Sequence, residues 1–68
     1  MIKFDKLWVT MKNQNISTYY LRERCGIDSK TIRRLRANEN IETKTLDKLC
    51  CVLKCKIEDI AEYSEDES

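Results

Sequence analysis

The chain has 68 residues, of which 41% are hydrophobic and 37% charged, with a formal net charge of +1, and a chain of this length forms one domain with a thin core. It contains no run of about 20 apolar residues and its start lacks an apolar signal-peptide core, so we expect a cytoplasmic protein without membrane contact. With no His and one Gly, it lacks the commonest general base, the commonest zinc ligand and any glycine-rich phosphate loop, which predicts no enzyme, catalytic residue, metal or cofactor.

The first predicted helix covers residues 4–13. Its apolar residues Phe4, Leu7, Trp8 and Met11 follow the i, i+3, i+4, i+7 spacing of a helix with one buried side. A polar run after Met11 ends it. Alternating apolar and polar residues, which would indicate strands, are scarce throughout the chain, so we expect no sheet.

An apolar residue directly before a capping residue indicates where the next helices begin. Ile16 precedes Ser17 and Ile27 precedes Asp28, and both Ser and Asp accept hydrogen bonds from the free amides of a first helical turn. Ile41 precedes Glu42, a poor cap, so the fourth helix is expected to begin one residue later. The predicted ranges are 17–25 for the second helix, 28–37 for the third, 43–53 for the fourth and 57–63 for the fifth.

Gly26 lies between the second and third predicted helices. Gly adopts the left-handed conformation that commonly ends a helix, and two helices joined by such a short turn form a helix-turn-helix. We therefore predict an all-α, five-helix domain over residues 1–63. Residues 64–68 are predicted to be an acidic, disordered tail that aids solubility; masking of the basic face is the alternative.

The third predicted helix has one apolar side and one cationic side. On a helical wheel, Ile32 and Leu35 face inward, whereas Lys30, Arg33 and Arg34 point the opposite way without interleaved acids. Residues 1–36 carry nine Lys and Arg against three acids, and residues 37–68 carry four against nine. A merely solvated basic helix is the simpler interpretation. However, helix-turn-helix proteins place the helix after the turn in the major groove, which favours double-stranded DNA as the partner.

Residues 7–63 resemble the Cro/repressor-like helix-turn-helix regulators, the lambda-repressor-like, XRE-type family. The resemblance rests on Leu21, the run GIDSKTIRRL at 26–35, TLDKLC at 45–50, LKC at 53–55 and Ile60. It implies a five-helix DNA-binding domain of a transcriptional regulator, a repressor in the main interpretation. Arg22 departs from the family, which usually has Ala there; we expect its stem to lie along the crossing of helices two and three and its head to reach solvent.

The resemblance also implies which residues touch DNA. The first residues of helix three and one about a turn later contact base edges, and Lys and Arg suit the O6 and N7 acceptors of guanine. The implied base contacts are Ser29, Lys30, Arg33 and Arg34. Phosphate contacts are expected from the start of helix two and from the loop after helix three. These candidates are Ser17, Thr18, Arg36, Asn38, Asn40 and Lys44.

The four cysteines are expected to be structural. Cys25, Cys50 and Cys55 lie at apolar positions, and free Cys packs as a small hydrophobe. A metal cluster and a redox-sensing thiol at Cys51, which points away from the apolar stripe, are the alternatives. The aromatic rings of Trp8 and Tyr20 are assigned to the core or its rim rather than to stacking on single strands.

The expected assembly is a homodimer on a near-palindromic operator, formed in solution or only on DNA. One helix-turn-helix contacts about half of such a site, and the absence of a coiled coil leaves the fourth and fifth helices as the expected dimer surface. The alternative function is a protein-interaction module on the same fold, such as an antitoxin or anti-regulator. That function would favour a large exposed apolar patch, for which Val9, Cys51 and Val52 are the only indications.

Overall fold

The structure, a computed structural model, describes residues 1–65. These residues form four α-helices and a two-stranded sheet. The elements in chain order are β1 (Ile2–Lys3), α1 (Asp5–Asn13), α2 (Thr18–Cys25), α3 (Ser29–Arg36), α4 (Thr43–Leu53), a 3-10 turn (Ile57–Asp59) and β2 (Glu62–Tyr63). None of the helices in this part of the chain has the length and apolar character needed to cross a bilayer. Residues 66–68, the greater part of the predicted tail, lie outside the described residues.

The caps that the sequence predicts for α2 and α3 are confirmed. The Ser17 hydroxyl accepts a hydrogen bond from the Tyr20 amide at 3.2 Å, and the Asp28 carboxylate accepts one from the Thr31 amide at 2.8 Å. Gly26 ends α2 with φ +69°, in the left-handed region that non-glycine residues rarely adopt. α4 begins at Thr43 after an N-cap, Glu42, whose side chain makes no capping bond.

The predicted fifth helix and the predicted absence of a sheet are both wrong. Residues 57–59 form only one 3-10 turn, after which Glu62 and Tyr63 pair antiparallel with Lys3 and Ile2. Two reasons explain the difference. A seven-residue helix is marginal by itself, and Ile57 remains 48% exposed, so this segment has little apolar surface to bury as a helix. Strand pairing with the start of the chain satisfies its backbone groups instead.

The pairing of the chain ends extends one residue beyond the two strands. The Ser64 amide, which the sequence assigns to the tail, donates to the Met1 carbonyl at 2.9 Å. A two-residue strand is too short to produce a detectable alternation of apolar and polar residues. This element could therefore not be predicted from pattern alone.

The core combines all four helices with the residues that flank them. Ile32 and Leu35 anchor α3, and Ile27 lies in the turn before it. The buried side chains are Phe4, Leu7, Met11, Leu21, Ile27, Ile32, Leu35, Leu49, Leu53 and Ile60. Because α3 is held by its apolar side, its opposite side is left exposed.

The cysteines Cys25, Cys50 and Cys55 pack against this core, which confirms their predicted role. The Cys55 amide donates to the Cys50 carbonyl at 3.1 Å, and the intervening Lys54 has a left-handed φ of +50°, so the two cysteines form the contact that closes the end of α4. Burial raises the pKa of the Cys55 thiol, with the neighbouring Cys50 as the next cause. A raised pKa opposes thiolate formation and therefore reactivity.

Candidate nucleic-acid interface

α3 presents a row of cations to solvent. Ser29, Lys30, Arg33 and Arg34 are all exposed, whereas Ile32 and Leu35 on the opposite side are 7% and 0% exposed. Within residues 1–65, no carboxylate oxygen lies within 4 Å of the charged nitrogens of these three cations. We call Lys30, Arg33 and Arg34 the cationic face. Unpaired cations gathered on one rigid helix produce a local positive potential that favours a polyanion.

Asp28, the N-cap of α3, is an acidic residue within this basic surface. Hydrogen bonding to Thr31, first with its side chain and then with its backbone amide, lowers the pKa of the Asp28 carboxyl, and the positive charges of Lys30 and Arg34 lower it further. The carboxylate also interacts favourably with the positive end of the helix dipole. Asp28 therefore fixes the start of the helix that presents the cationic face.

Arg36 lies against the indole of Trp8. Its guanidinium carbon is 4.6 Å from the ring centroid, which is a cation–π distance. Stacking restricts the Arg36 side chain while its in-plane N–H donors remain available for a phosphate. The sequence predicted Arg36 as a phosphate contact but did not indicate this pair, because the two residues are far apart in the chain.

Asn38, a second predicted phosphate contact, has a structural role. Its Oδ1 accepts a hydrogen bond from the Phe4 amide at 2.8 Å, and its backbone has φ +58°, where Asn is tolerated better than most residues. Its side-chain carbonyl is therefore occupied by the start of α1, and only its Nδ2 group is left to donate. Asn40 and Lys44, the other candidates after α3, are exposed.

The start of α2 supplies the remaining predicted phosphate contacts. The Ser17 hydroxyl caps the helix through Tyr20, and Thr18 is the first helical residue. The first amides of a helix have no carbonyl partner within it, so those of Thr18 and Tyr19 are suited to binding an anion.

Arg22 connects α2 with α3. Its exposed guanidinium donates to the Ser29 hydroxyl at 3.5 Å and lies 6.0 Å from the Tyr19 ring centroid. This agrees with the predicted path of its side chain to solvent. Arg22 was not predicted as a site residue from the sequence, although it contacts Ser29, one of the predicted base-reading positions.

Part of the predicted site lies around one surface recess. Arg34, Asn38 and Asn40 line a recess of about 670 Å³, together with Met1, Ile2, Glu39 and Tyr63. The base-reading candidates thus share one side of α3, and the phosphate candidates lie on α2 and on the segment between α3 and α4. All ten candidates are exposed or half-buried.

Known proteins share this helix-turn-helix fold. Residues 6–66 match the family model of the Cro/C1-type HTH DNA-binding domain. The fold is similar to the crystal structure of the transcriptional regulator VanUg, with a TM-score of 0.83 and 31% sequence identity over 90% of this chain and 81% of that chain. Among curated proteins, no sequence match was found. The predicted resemblance is confirmed: the chain belongs to the Cro/C1-type helix-turn-helix DNA-binding family.

Proposed function

We propose that the protein is a transcriptional repressor that binds a specific duplex sequence with α3 in the major groove. The observation that carries this proposal is the cationic face, which is exposed and has no ion pair among the described residues. A solvent-facing helix usually alternates acids and bases, whereas α3 has three cations opposite its buried side. The assignment as a repressor rather than an activator rests on the resemblance to the Cro/repressor-like regulators.

Lys30 and Arg34 are the main base-reading residues in this proposal. They are one helical turn apart, which corresponds to about 6 Å along the axis and is close to the rise of two base-pair steps. Each can therefore reach a different base pair, with Arg suited to the two acceptors of guanine. Ser29, held by Arg22, and Arg33 flank them as further base contacts.

Phosphate contacts on both sides of α3 fix its position in the groove. On one side are Ser17 and Thr18 with the free amides of α2. On the other side are Arg36, Asn38, Asn40 and Lys44. Such contacts provide affinity and register without reading sequence. The stacking of Arg36 on Trp8 lowers the entropy that this side chain loses on binding.

The protein acts as a homodimer on a near-palindromic operator. One α3 covers about half of such a site, and two half-sites lie about 34 Å apart. The longest dimension of the domain is 35 Å, so two copies arranged end to end along it match this spacing. The dimer surface includes α4 and the segment that follows it.

The first experiment is the selection of bound sequences from random duplexes. We expect a near-palindromic sequence with a guanine in each half-site to be enriched. Enrichment of no sequence, together with equal affinity for all duplexes, would refute sequence-specific binding.

Substitution then tests which residues read the selected site. Arg34→Ala is expected to cost about 1–3 kcal/mol at that site and to relax the preference at one base. Lys44→Ala is the matched control, since loss of a phosphate contact weakens all duplexes similarly and lowers the salt slope by about one. Equilibrium binding to selected and scrambled duplexes over a salt series measures both. Wild-type binding by Arg34→Ala would exclude α3 as the reading helix.

A further inference from the structure

Arg22 lies between the start of α2 and the start of α3. It follows Thr18 by one helical turn, so the two residues share a side of α2. Its Nη1 lies 3.5 Å from the hydroxyl oxygen of Ser29, the first residue of α3. Because Thr18 is a proposed phosphate contact and Ser29 a proposed base contact, the Arg22 guanidinium lies next to both parts of the interface.

The charge of Arg22 is available to a ligand. The side chain is exposed, and among residues 1–65 no carboxylate oxygen lies within 4 Å of its guanidinium nitrogens. Within the same residues, it donates to one acceptor, the Ser29 hydroxyl, and lies 6.0 Å from the centroid of the Tyr19 ring. A guanidinium carries several N–H donors. Most donors of Arg22 therefore remain free for an acceptor outside the chain.

The position of Arg22 favours a phosphate over a base as that acceptor. In a helix-turn-helix the first helix crosses the DNA backbone, whereas the second enters the major groove. A residue of α2 is thus closer to the phosphates at the groove edge than to the base pairs. A guanidinium binds phosphate oxygens through two parallel N–H bonds. The contacts with Tyr19 and Ser29 restrict the side chain beforehand, which lowers the entropy lost on binding.

We propose that Arg22 binds a backbone phosphate at the edge of the groove, on the side of α2 that carries Thr18. This inference rests on the proposed function, because it adds a contact to the same interface. Arg22 then corresponds to Arg36, which lies beyond the other end of the cationic face and is stacked on Trp8. An arginine beside an aromatic ring would hold the backbone on each side of α3.

Two variants of α2 separate this contact from a general effect of charge. Arg22→Gln removes the charge but keeps most of the stem, and Gln is a good helix former. Arg24→Gln is the matched control, since it makes the same change on the same helix. Arg24 is exposed, lies about 200° around the helix from Arg22 and lines a recess with Cys51 and Val52 of α4.

The first measurement is equilibrium binding to the selected and scrambled duplexes over a salt series. We expect Arg22→Gln to weaken binding to both duplexes about tenfold at about 50 mM salt and to lower the salt slope by about one. Arg24→Gln should keep the wild-type slope, and Arg22→Lys, which restores the charge, should recover it. Equal slopes in the two Gln variants would overturn the proposal. A loss confined to the selected duplex would also overturn it, because Arg22 would then read a base.

The second measurement locates the phosphate. Duplexes in which one phosphate at a time is replaced by an uncharged methylphosphonate lose affinity wherever the protein contacts the replaced group. We expect one position at which the replacement weakens the wild type and Arg24→Gln but not Arg22→Gln. If no position behaves in this way, Arg22 binds no phosphate.

The same data separate failure of this inference from failure of the proposed function. A wild-type protein that binds no duplex would refute both. A wild-type protein that binds the selected duplex, with an Arg22→Gln variant that matches it in slope and in methylphosphonate profile, would refute the Arg22 contact alone.

Discussion

The helix-turn-helix and the C-terminal segment are ordered by different kinds of contact. In α2 and α3, each helix is capped by its own neighbouring residues: Ser17 and Asp28 at the starts and Gly26 at the turn. In residues 54–65, the 3-10 turn has a local cap, since the Asp59 carboxylate accepts from the Lys56 amide at 3.0 Å, but the residues after it are ordered by the pairing of β2 with β1 at the start of the chain. The first region is therefore determined locally, whereas the second depends on closure of the whole domain.

α1 provides much of this closure. The Thr10 hydroxyl donates to the Asp59 carbonyl at 2.7 Å, and the side-chain Nε2 of Gln14 donates to the Leu53 carbonyl at 2.7 Å. Lys6 donates to the Glu58 carbonyl at 3.3 Å. Side chains from α1 and its C-cap residue thus donate hydrogen bonds to carbonyls at the end of α4 and in the 3-10 turn. Among the described residues, no following helix supplies donors for these carbonyls. A substitution in α1 that removes one of these hydrogen bonds should consequently make the C-terminal segment open more readily.

The largest expected effect on the free energy of unfolding is that of Leu35→Ala. This variant tests whether the locally capped helix-turn-helix also depends on the core. Leu35 is fully buried, and removal of such a side chain costs about 2–5 kcal/mol through lost burial and the remaining cavity. Chemical denaturation measures this loss. Leu35→Met, which conserves volume, should cost less than about 1.5 kcal/mol. Equal losses for the two variants would contradict a packing role.

The next effect comes from the turn between α2 and α3. A Cβ at Gly26 would meet no atom within 4 Å, so only the positive φ opposes a side chain there. Gly26→Ala is therefore expected to destabilise by about 1–2 kcal/mol, the cost of a left-handed L-residue. Gly26→Asn should cost less, since Asn tolerates this conformation. Thermal unfolding of both variants distinguishes strain from crowding, which would penalise the larger Asn more.

Thr10→Val sharpens the contrast between the two regions. It removes the hydrogen bond to Asp59 while it preserves the shape of the side chain, at an expected cost of about 0.5–1.5 kcal/mol. Amide hydrogen exchange should accelerate at residues 59–64 first and leave α2 and α3 nearly unchanged. Uniform acceleration along the chain would show that the C-terminal segment does not open separately.

The smallest effect is the pH dependence at Asp28. Because the folded state lowers the pKa of this carboxyl, its contribution to stability is complete above the unfolded pKa of about 3.9 and is lost as the pH falls through the folded pKa. Asp28→Asn keeps a capping oxygen but does not titrate. We expect the wild type to lose more stability than this variant between neutral and strongly acidic pH. Thermal unfolding at a series of pH values measures this loss. An equal fall in Tm with pH for the wild type and Asp28→Asn would contradict the prediction.

This contrast explains which parts of the fold could be predicted. The starts of α2, α3 and α4 follow from residues adjacent in sequence, so an apolar residue before each start was sufficient. The segment after α4 likewise has an apolar residue, Cys55, shortly before its predicted start, yet the fifth helix predicted there does not form. Its conformation depends on partners in Met1–Lys3, more than fifty residues away.

The candidate site likewise has a part that could be predicted from the sequence and a part that depends on contacts between distant residues. The cationic face follows from periodicity alone. The contacts of Arg36 with Trp8, of Arg22 with Ser29 and of Asn38 with the Phe4 amide need the folded chain. The residues exposed on α3 could therefore be predicted from the sequence, whereas the contacts that hold their neighbours could not.

The stacking of Arg36 on Trp8 gives the protein an intrinsic optical reporter. Trp8 is the only tryptophan in the chain, so its emission originates from one environment, beside a proposed phosphate-binding side chain. A phosphate that binds the stacked guanidinium brings a negative charge close to the indole ring and so changes the surroundings of this one fluorophore. Occupancy of that side of the domain can thus be followed in the unlabelled protein, independently of events at the bases.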